Sequence, residues 1–305
     1  MYSLGVVQKS WVLLRHGKTI SIERKEEGDR IPDDVLLIKN LRVVTGLDGS
    51  SIIRRDFKLP LKNPRTVKAA LPFQLEPLLP FPLDQSIVYP EFHPSKNETV
   101  VVAWATTRSS VQNHLEKCGA VDPDLISSDT IALARWARHY YPDEPQLVVM
   151  DGKLGIAMDR DVIVCAMESS DPARLKIFLK QKYPLYHWVD CDDPYAIPFG
   201  LALEPFQKNP CQFRPKSSPS ERQKKREKTI LKQAVLAGVS LTMATLLISH
   251  GIFWIQEKKI LNQIGAGKSL EEATATFRSA IIHETKNAPM VYDLPTTQEV
   301  LAWLS

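Results

Sequence analysis

A histidine and an arginine stand side by side at the end of an apolar run near the start of the chain. Trp11–Leu14 is followed by Arg15 and His16, and Gly17, Lys18 and Thr19 come next. A histidine at the end of a strand can act as a phosphoryl nucleophile when a neighbouring guanidinium group binds the phosphate. These residues are therefore the first candidates for chemistry in this chain.

The rest of the chain does not complete such a site. The Arg15-His16-Gly17 sequence resembles histidine phosphatases, and Ser127–Asp129 and Ser249–Gly251 resemble later parts of that family. However, His250 falls inside a long apolar segment, and the glycine-bearing helix start expected after the first motif is missing. We therefore expect His16 to be a turn residue in a β-hairpin, with a histidine phosphatase kept only as an alternative.

Other patterns of reactive residues are weak. None of the four cysteines (Cys118, Cys165, Cys191 and Cys211) form a CxxC pair, so reduced and mostly buried thiols are predicted. The acidic run at Asp190, Asp192 and Asp193 is interpreted as a solvated turn. No Walker loop, HExxH or GxSxG motif occurs. The sequence thus predicts no catalytic residue, no metal site and no cofactor.

An apolar segment dominates the C-terminal third of the sequence. Ala234–Ile255 comprises 22 residues without Asp, Glu, Lys or Arg. As a helix it would be roughly 33 Å long, enough to cross a hydrocarbon core of about 30 Å. A buried core helix is the alternative, but such helices rarely continue this far without a charge. We therefore predict a transmembrane helix.

The segment before this helix carries most of the positive charge. Residues 216–232 contain seven basic and two acidic residues, a net charge of +5, so the rest of the chain carries −1 of the total of +4. Excess positive charge on one side of a span predicts that this side is cytoplasmic. Attraction to anionic headgroups is a second interpretation. The charge distribution gives no reason to expect nucleic-acid binding.

Hydrophobic periodicity and turn residues predict an α/β or α+β domain before the span. Strands are predicted at 11–15, 19–24, 35–38, 41–44, 51–57, 99–105, 147–150, 154–158 and 162–166. Helices are predicted at 109–118, 129–141 and 172–182, and a helical segment interrupted at Pro72 and Pro77 is predicted around 62–79. After the span, capping boxes at Ser269–Glu272 and Thr296–Glu299 predict two short amphipathic helices.

Several segments together resemble the actin-like assembly proteins of type IV pili and type II secretion, the PilM and GspL families. Leu71–Glu76 followed by Pro80–Asp84 is similar to their LPFE…PFPLDE signature. Thr99–Arg135 resembles their strand and helix course, and Tyr195–Pro215 resembles their GLAL helix. With the basic segment and the span, the order of these motifs resembles the GspL arrangement, or a PilM joined to a PilN. The resemblance covers about residues 40 to 260.

The resemblance implies an actin-like fold, yet the phosphate-binding turns of actin-like ATPases are altered here. Such turns are rich in glycine, serine and threonine, and their N–H groups face the anion. The first turn position has only Leu4–Val7, and the second has Asp151, Gly152, Lys153 and Gly155 with no hydroxyl residue after them. We interpret Asp151, Gly152 and Gly155 as a degenerate phosphate turn, so no ATP hydrolysis is expected. An ATP-binding, actin-like ATPase remains the enzymatic alternative.

These observations predict an actin-like (RNase H-like) α/β cytoplasmic domain over 1–215, a basic linker over 216–233, a transmembrane helix over 234–255 and an external, periplasmic segment over 256–305. The resemblance implies a non-enzymatic, single-pass scaffold in the inner membrane, with a cytoplasmic N-terminus. The implied partners are the secretion or assembly ATPase, a second bitopic platform protein, a further copy of the chain, and the lipid bilayer.

Overall fold

The computed structural model describes residues 1–28, 30–94, 98–215 and 217–265, together with the isolated positions 272, 275, 278 and 279. The chain divides into two compact units, Met1–Glu227 and Lys228–Ser305. The first unit continues past residue 215, where the sequence places the end of the domain, and it includes the first part of the predicted linker. The two predicted helices after the span lie almost wholly outside the described residues.

The first unit contains twelve strands and six complete helices among its described residues, and a seventh helix begins in it. In chain order these are β1 (Tyr2–Val7), β2 (Ser10–His16), β3 (Ile20–Glu27), α1 (Asp33–Leu36), β4 (Leu41–Leu47), β5 (Ile53–Leu59), α2 (Pro64–Leu75), β6 (Ser86–Pro94), β7 (Thr99–Thr107), α3 (Arg108–Cys118), β8 (Leu125–Ser128), α4 (Asp129–Tyr140), β9 (Gln146–Asp151), β10 (Leu154–Asp159), β11 (Val162–Glu168), α5 (Pro172–Lys182), β12 (His187–Asp190), α6 (Ala196–Leu203) and α7 (Glu221–Gly265).

A five-stranded sheet in the order β3-β2-β1-β4-β8 forms one half of this unit. Strands β1, β2 and β3 form an antiparallel meander, whereas β4 is parallel to β1 and β8 is parallel to β4. Along β2, Trp11 and Leu13 enter one hydrophobic cluster, and Val12 and Leu14 enter another. Both faces of the strand are therefore covered, which explains why this strand is an uninterrupted apolar run.

A second sheet repeats the same plan with fewer strands. Its order is β11-β10-β9-β12, in which β9, β10 and β11 form an antiparallel meander and β12 is parallel to β9. This is the order of the first four strands of the other sheet, β3-β2-β1-β4. The unit thus contains two copies of one α/β topology.

Helices α4 and α6 fill the space where the two sheets share a core. One cluster joins Leu14 of the first sheet, Leu147 of the second, Ile131 of α4 and Phe199 of α6. The two helices approach closely at Gly200, where a Cβ atom would stand 1.9 Å from the carbonyl oxygen of Ala132. Glycine is required there because any side chain would separate the helices.

A third sheet, in the order β5-β7-β6, is formed by the part of the chain that lies between β4 and β8 in sequence, although β4 and β8 are neighbours in the first sheet. Helix α2 covers it through Val67, which lies in one cluster with Leu59 and Val101. Strand β6 contains Pro90 and lies at an edge. An edge strand tolerates proline because it needs ladder hydrogen bonds on one side only.

The structure corrects two of the predicted elements. Residues 35–38 were expected to be a strand, but Asp33–Leu36 is a helical turn that begins after Pro32 and has two aspartates in its first turn. Acidic residues at a helix start favour the helix over the strand. Helix α2 also continues through Pro72, which is exposed, so water can replace the helical hydrogen bond that proline removes.

The remaining strand and helix predictions before the span agree with the structure to within a few residues. Strands β1, β6, β8 and β12 were not predicted from the sequence. The cysteines are unpaired, and Cys165, Cys191 and Cys211 are buried while Cys118 is half-buried. This matches the prediction of mostly buried thiols.

The second unit, as far as it is described, consists of the greater part of α7. Among the described residues one helical segment, Glu221–Gln256, is long and apolar enough to cross a membrane. Its apolar window is not buried at all, and Leu236, Leu247 and Phe253 are each about two-thirds exposed or more. A core helix would be covered by other elements, so the buried-core interpretation is wrong for this helix.

Candidate functional site

Two hairpin turns line one side of a cleft of about 420 Å³ in the first unit. The turn between β1 and β2 contributes Gln8 and Lys9, and the turn between β9 and β10 contributes Lys153. Both turns have left-handed backbone at their first residue, with φ of 48° at Gln8 and 53° at Gly152. Such conformations are typical of two-residue hairpin turns. The turn between β9 and β10 is the second predicted phosphate-binding position. The first predicted position, Leu4–Val7, is instead part of strand β1, and the turn itself follows at Gln8 and Lys9.

Acidic side chains from five different elements line the same cleft. We call this group the acidic cleft. Its members are Glu27 at the end of β3, Asp48 directly after β4, Asp129 at the start of α4, Asp151 at the end of β9 and Glu168 at the end of β11. Lys9 and Lys153 are the two basic residues of the lining, so carboxylates outnumber ammonium groups by five to two.

Asp129 is the most deeply placed of these carboxylates. Its side chain is 9% exposed, and Oδ1 has no hydrogen-bond partner. Burial, together with the charges of Asp48, Glu168 and Asp151, raises the pKa of Asp129 to about 8. Gly46 faces it so closely that a Cβ atom there would lie 1.8 Å from Oδ1. The fold thus keeps a buried carboxyl group without a donor.

The three residues of the predicted degenerate turn have different positions. Asp151 ends β9 and lines the cleft, and burial and the charge of Asp193 raise its pKa to about 6. Gly152 forms the left-handed turn. Gly155 is a packing position in β10, where a Cβ atom would stand 2.6 Å from Leu179 Cδ1 of α5. Of the three, only Asp151 lines the cleft.

The hydroxyl content of the cleft is low. Ser10, the first residue of β2, is the one hydroxyl residue among those that line it. Thr130 lies nearby, with its Oγ1 3.5 Å from the Cβ position of Gly49. The sequence predicted Asp151 but missed Glu27, Asp48, Asp129 and Glu168. These acids are far apart in the chain, and their common signal is position, because each of them ends or directly follows a strand.

His16 is the last residue of β2 and pairs with Ile20, as expected for a hairpin residue. Its ring stacks on Phe206 at 4.8 Å between centroids. In the described part of the chain, no three His, Cys, Asp or Glu side chains come together in a way that could hold a metal ion.

A second group of carboxylates lies at the other end of β8. Asp124 is fully buried and accepts hydrogen bonds from Val43 N at 3.0 Å, Ser220 Oγ at 2.6 Å and Arg226 Nη2 at 3.3 Å. Asp122 accepts from Arg214 Nη1 at 2.7 Å and from Glu221 N at 2.9 Å. We call Asp122, Asp124 and the groups that they bind the aspartate clasp.

The clasp holds the first turn of α7. Ser220 and Gln223 form a capping box, in which Ser220 Oγ accepts from Gln223 N and Gln223 Oε1 accepts from Ser220 N. Arg222 donates to the carbonyl oxygens of Val121 and Asp122 at 2.8 and 2.9 Å. Two arginines that the sequence assigns to a basic linker, Arg222 and Arg226, are therefore bound to the domain.

Hydrogen bonding decides the pKa of Asp122. Burial raises this pKa, but the hydrogen bonds from Glu221 N and Arg214 and the charge of Arg214 outweigh burial and bring it below its ordinary value. The pKa of Asp122 in the clasp and the pKa of Asp129 in the cleft thus shift in opposite directions.

Strand order defines the class of the first unit. Two copies of a three-strand meander followed by a parallel fourth strand, with helices between the sheets, constitute the actin-like (RNase H-like) fold. The predicted fold class is therefore confirmed. In that fold the two hairpin turns face the nucleotide, and here they line the acidic cleft.

Comparisons with known proteins give structural but not sequence matches. No protein-family model matches the chain, and no curated protein sequence matches it. Among solved structures, it is similar to the PilM-PilN type IV pilus biogenesis complex, with a TM-score of 0.46 and 14% identity over 61% of this chain and 66% of that one. The chain thus spans just under two thirds of that protein's length.

Two further structures are similar to this chain. The cytoplasmic domain of EpsL, an inner-membrane component of the type II secretion system of Vibrio cholerae, matches with a TM-score of 0.38 and 15% identity, over 55% of this chain and 70% of that one. A protein of Bacteroides thetaiotaomicron with an actin-like ATPase fold and unknown function matches with a TM-score of 0.34 and 8% identity, over 62% and 79%.

Proposed function

We propose that this chain is a single-pass inner-membrane scaffold of a type II secretion or type IV pilus assembly platform. Its actin-like unit would lie in the cytoplasm and the residues after the span in the periplasm. It would link the cytoplasmic assembly ATPase to membrane and periplasmic components, with a second bitopic protein and further copies of itself as partners. The order of the sequence motifs, from Leu71–Glu76 to Tyr195–Pro215, supports the choice of these two systems.

One observation carries the non-enzymatic part of the proposal. Where an actin-like ATPase would receive phosphate groups, this chain has five carboxylates and two lysines. Asp129, the deepest of them, has no donor on Oδ1. Phosphate binding needs converging N–H groups or cations, and an excess of carboxylates repels it. The actin-like unit therefore serves as a binding platform, and hydrolysis is not its task.

Membrane insertion is supported by the uncovered apolar helix and the basic residues before it. A reporter that is active only outside the cytoplasm should be active when fused after Ser305 and inactive when fused after Pro215. Replacing Lys224, Lys225 and Lys228 by glutamine should weaken the orientation. Arg222 and Arg226 are left intact in this variant because they bind the domain. The opposite reporter pattern would contradict the proposed topology.

The scaffold role is tested by isolating the full chain from membranes of its native host in mild detergent and identifying the proteins that accompany it. We expect an assembly ATPase and a second bitopic protein. A His16→Ala variant should recover the same partners, since an exposed hairpin residue changes stability by no more than about 0.5 kcal/mol. A phosphohistidine trapped at His16 would instead identify a phosphoryl-transfer enzyme.

A further inference from the structure

The acidic cleft has the size of a ligand site and an excess of negative charge. Its volume of about 420 Å³ lies in the range of small-molecule sites, which begins at roughly 300 Å³. Glu27, Asp48 and Glu168 are exposed at its rim, while Asp151 is half-buried and Asp129 is buried. Lys9 and Lys153, both exposed, sit on the two hairpin turns. An incoming ligand thus meets acidic side chains from the rim to the floor.

Asp129 gives a second and independent indication of a ligand. A carboxyl group that is nine-tenths buried normally accepts hydrogen bonds, because burying it without a donor costs free energy. Asp129 lines the cleft, and its Oδ1 accepts none. Asp124, five positions earlier in the chain, is buried even more completely and has donors from three residues. The protein can therefore satisfy such a group, and at Asp129 the donor is left to come from outside.

The geometry restricts the kind of cation. Among the residues that the structure describes, no group of three carboxylates, histidines or cysteines is close enough to share a metal ion. The acids are instead spread along the walls of the cleft. A guanidinium or ammonium group fits such walls, because its several N–H donors point in different directions and can reach carboxylates of different elements.

We propose that the acidic cleft binds an organic cation, a guanidinium or primary ammonium group that donates to Asp129 and is flanked by Asp48, Asp151 and Glu168. The place where the actin-like fold receives phosphate thus takes a group of the opposite charge. The cation is either an arginine or lysine side chain of a protein or a free amine. This proposal is independent of the scaffold role, because a cleft of this kind could serve either class of protein.

The test uses the full chain in detergent and measures the melting temperature with agmatine, with spermidine and with the capped tripeptide acetyl-Gly-Arg-Gly-amide. A probe present at 100 times its dissociation constant should raise the melting temperature by roughly 2 to 4 °C. A tighter response to the tripeptide than to agmatine would identify a protein side chain as the natural ligand. A tighter response to spermidine would identify a free amine.

Variants connect the response to the cleft. Asp129→Asn keeps the shape of the side chain but cannot ionise, so it should fold and bind each probe at least tenfold more weakly. Glu168→Gln changes an exposed rim residue and should weaken binding less. Asp143→Asn, which changes an exposed carboxylate outside the cleft, should leave binding unchanged.

Proton release gives a readout that a merely structural effect would not produce. Asp129 must be ionised to accept the cation, so binding near pH 7 should release a proton, and affinity should rise between pH 6 and pH 9. Calorimetry in two buffers with different ionisation enthalpies measures this release. The proposal is overturned if no probe shifts the melting temperature at millimolar concentration, or if Asp129→Asn binds as well as the unaltered chain.

Discussion

The aspartate clasp and the acidic cleft bury carboxylates in the same domain but treat them in opposite ways. In the clasp, Asp124 is fully buried and receives hydrogen bonds from Val43, Ser220 and Arg226. In the cleft, Asp129 is nearly as buried and has an orphan oxygen, and its nearest charges are further carboxylates. The four residues that separate them in sequence form strand β8.

The difference shows how to distinguish a structural charge from one that is kept for another purpose. A buried charge stabilises a fold only when donors compensate for the lost water. The clasp meets this condition and joins the start of α7 to the domain. The cleft does not meet it, so its carboxylates reduce the stability of the isolated chain. The following predictions test this contrast, from the largest expected effect to the smallest.

The largest effect should be a dependence of stability on pH that originates in the cleft. The pKa of Asp129 is about 8 in the folded protein, whereas it is about 3.9 in an unfolded chain. Between these values the folded protein holds a proton that the unfolded chain has lost. The free energy of unfolding should therefore fall by about 1.4 kcal/mol for each pH unit, or about 5 kcal/mol in all, as the pH rises from 4 to 8.

Asp129→Asn should remove this dependence, so that the variant matches the unaltered chain near pH 4 and exceeds its stability at pH 8. Urea denaturation followed by tryptophan fluorescence at several pH values measures the difference. The clasp should change stability with pH in the opposite direction. The lowered pKa of Asp122 stabilises the fold above pH 4, and this contribution to the free energy of unfolding is lost in stronger acid. If the free energy of unfolding changes with pH equally in Asp129→Asn and in the unaltered chain, Asp129 is not an unpaired buried carboxyl group.

The next largest effect should come from breaking the clasp. Asp124→Ala removes the carboxylate partner of Arg226, which keeps the Leu41 carbonyl oxygen, and leaves the Val43 N–H group without its acceptor. Removing one member of a buried ion pair costs 3 kcal/mol or more, and we expect about 3 kcal/mol because Arg226 is one quarter exposed. Urea denaturation at pH 7 measures the loss. The exposed control Asp143→Asn should stay within about 0.5 kcal/mol. If Asp124→Ala leaves the free energy of unfolding unchanged, the clasp contributes no stability.

A smaller loss is expected at the helix start that the clasp holds. Ser220→Ala removes the cap of α7 and one donor to Asp124, and loss of a cap costs about 1 kcal/mol. Helicity and unfolding free energy, measured by circular dichroism during denaturation, report this change. Ser218→Ala, two residues earlier and exposed, is the matched control. A Ser220→Ala variant that is as stable as this control would mean that α7 begins without the capping box.

The smallest effect is expected from nucleotide. Mg-ATP should leave the melting temperature of the full chain unchanged, because the acidic cleft offers phosphate no net positive charge. A bound nucleotide at 100 times its dissociation constant would add about 2.7 kcal/mol of stability and raise the melting temperature by roughly 2 to 4 °C. A reproducible shift of this size that Asp151→Ala abolishes would show that the cleft still binds nucleotide.

Sequence patterns were sufficient for elements whose signals are local. Helix α5 has Pro172 in its first turn and is found at the predicted bounds, and the hairpins from β9 to β11 follow the Gly152 and Arg160 turns. Patterns failed where a neighbour decides the structure. Strand β6 carries Pro90, which an edge position permits, and no local signal shows that a strand lies at an edge.

The site was less accessible to sequence reasoning than the fold. Asp151 was predicted because a turn motif marks it, whereas Asp129 resembles any acidic residue in the first turn of a helix. Its unpaired state depends on Gly46, Asp48 and Glu168, which come from other elements. Likewise, Arg222 and Arg226 look like solvated linker residues, because their acceptors lie about a hundred and more positions away.

The insertion of a whole sheet between β4 and β8 has a consequence for the order of folding. The meander of β1, β2 and β3 closes through short turns, but Val44 must find Leu125 across the entire inserted sheet. Contacts between residues so distant in sequence form slowly, because loop closure costs entropy before the contact is gained. The clasp needs Ser220 and Arg226 as well, so it forms last. During synthesis the domain is thus completed by the residues that directly precede the apolar helix, so its final closure waits until the chain up to that helix has been made.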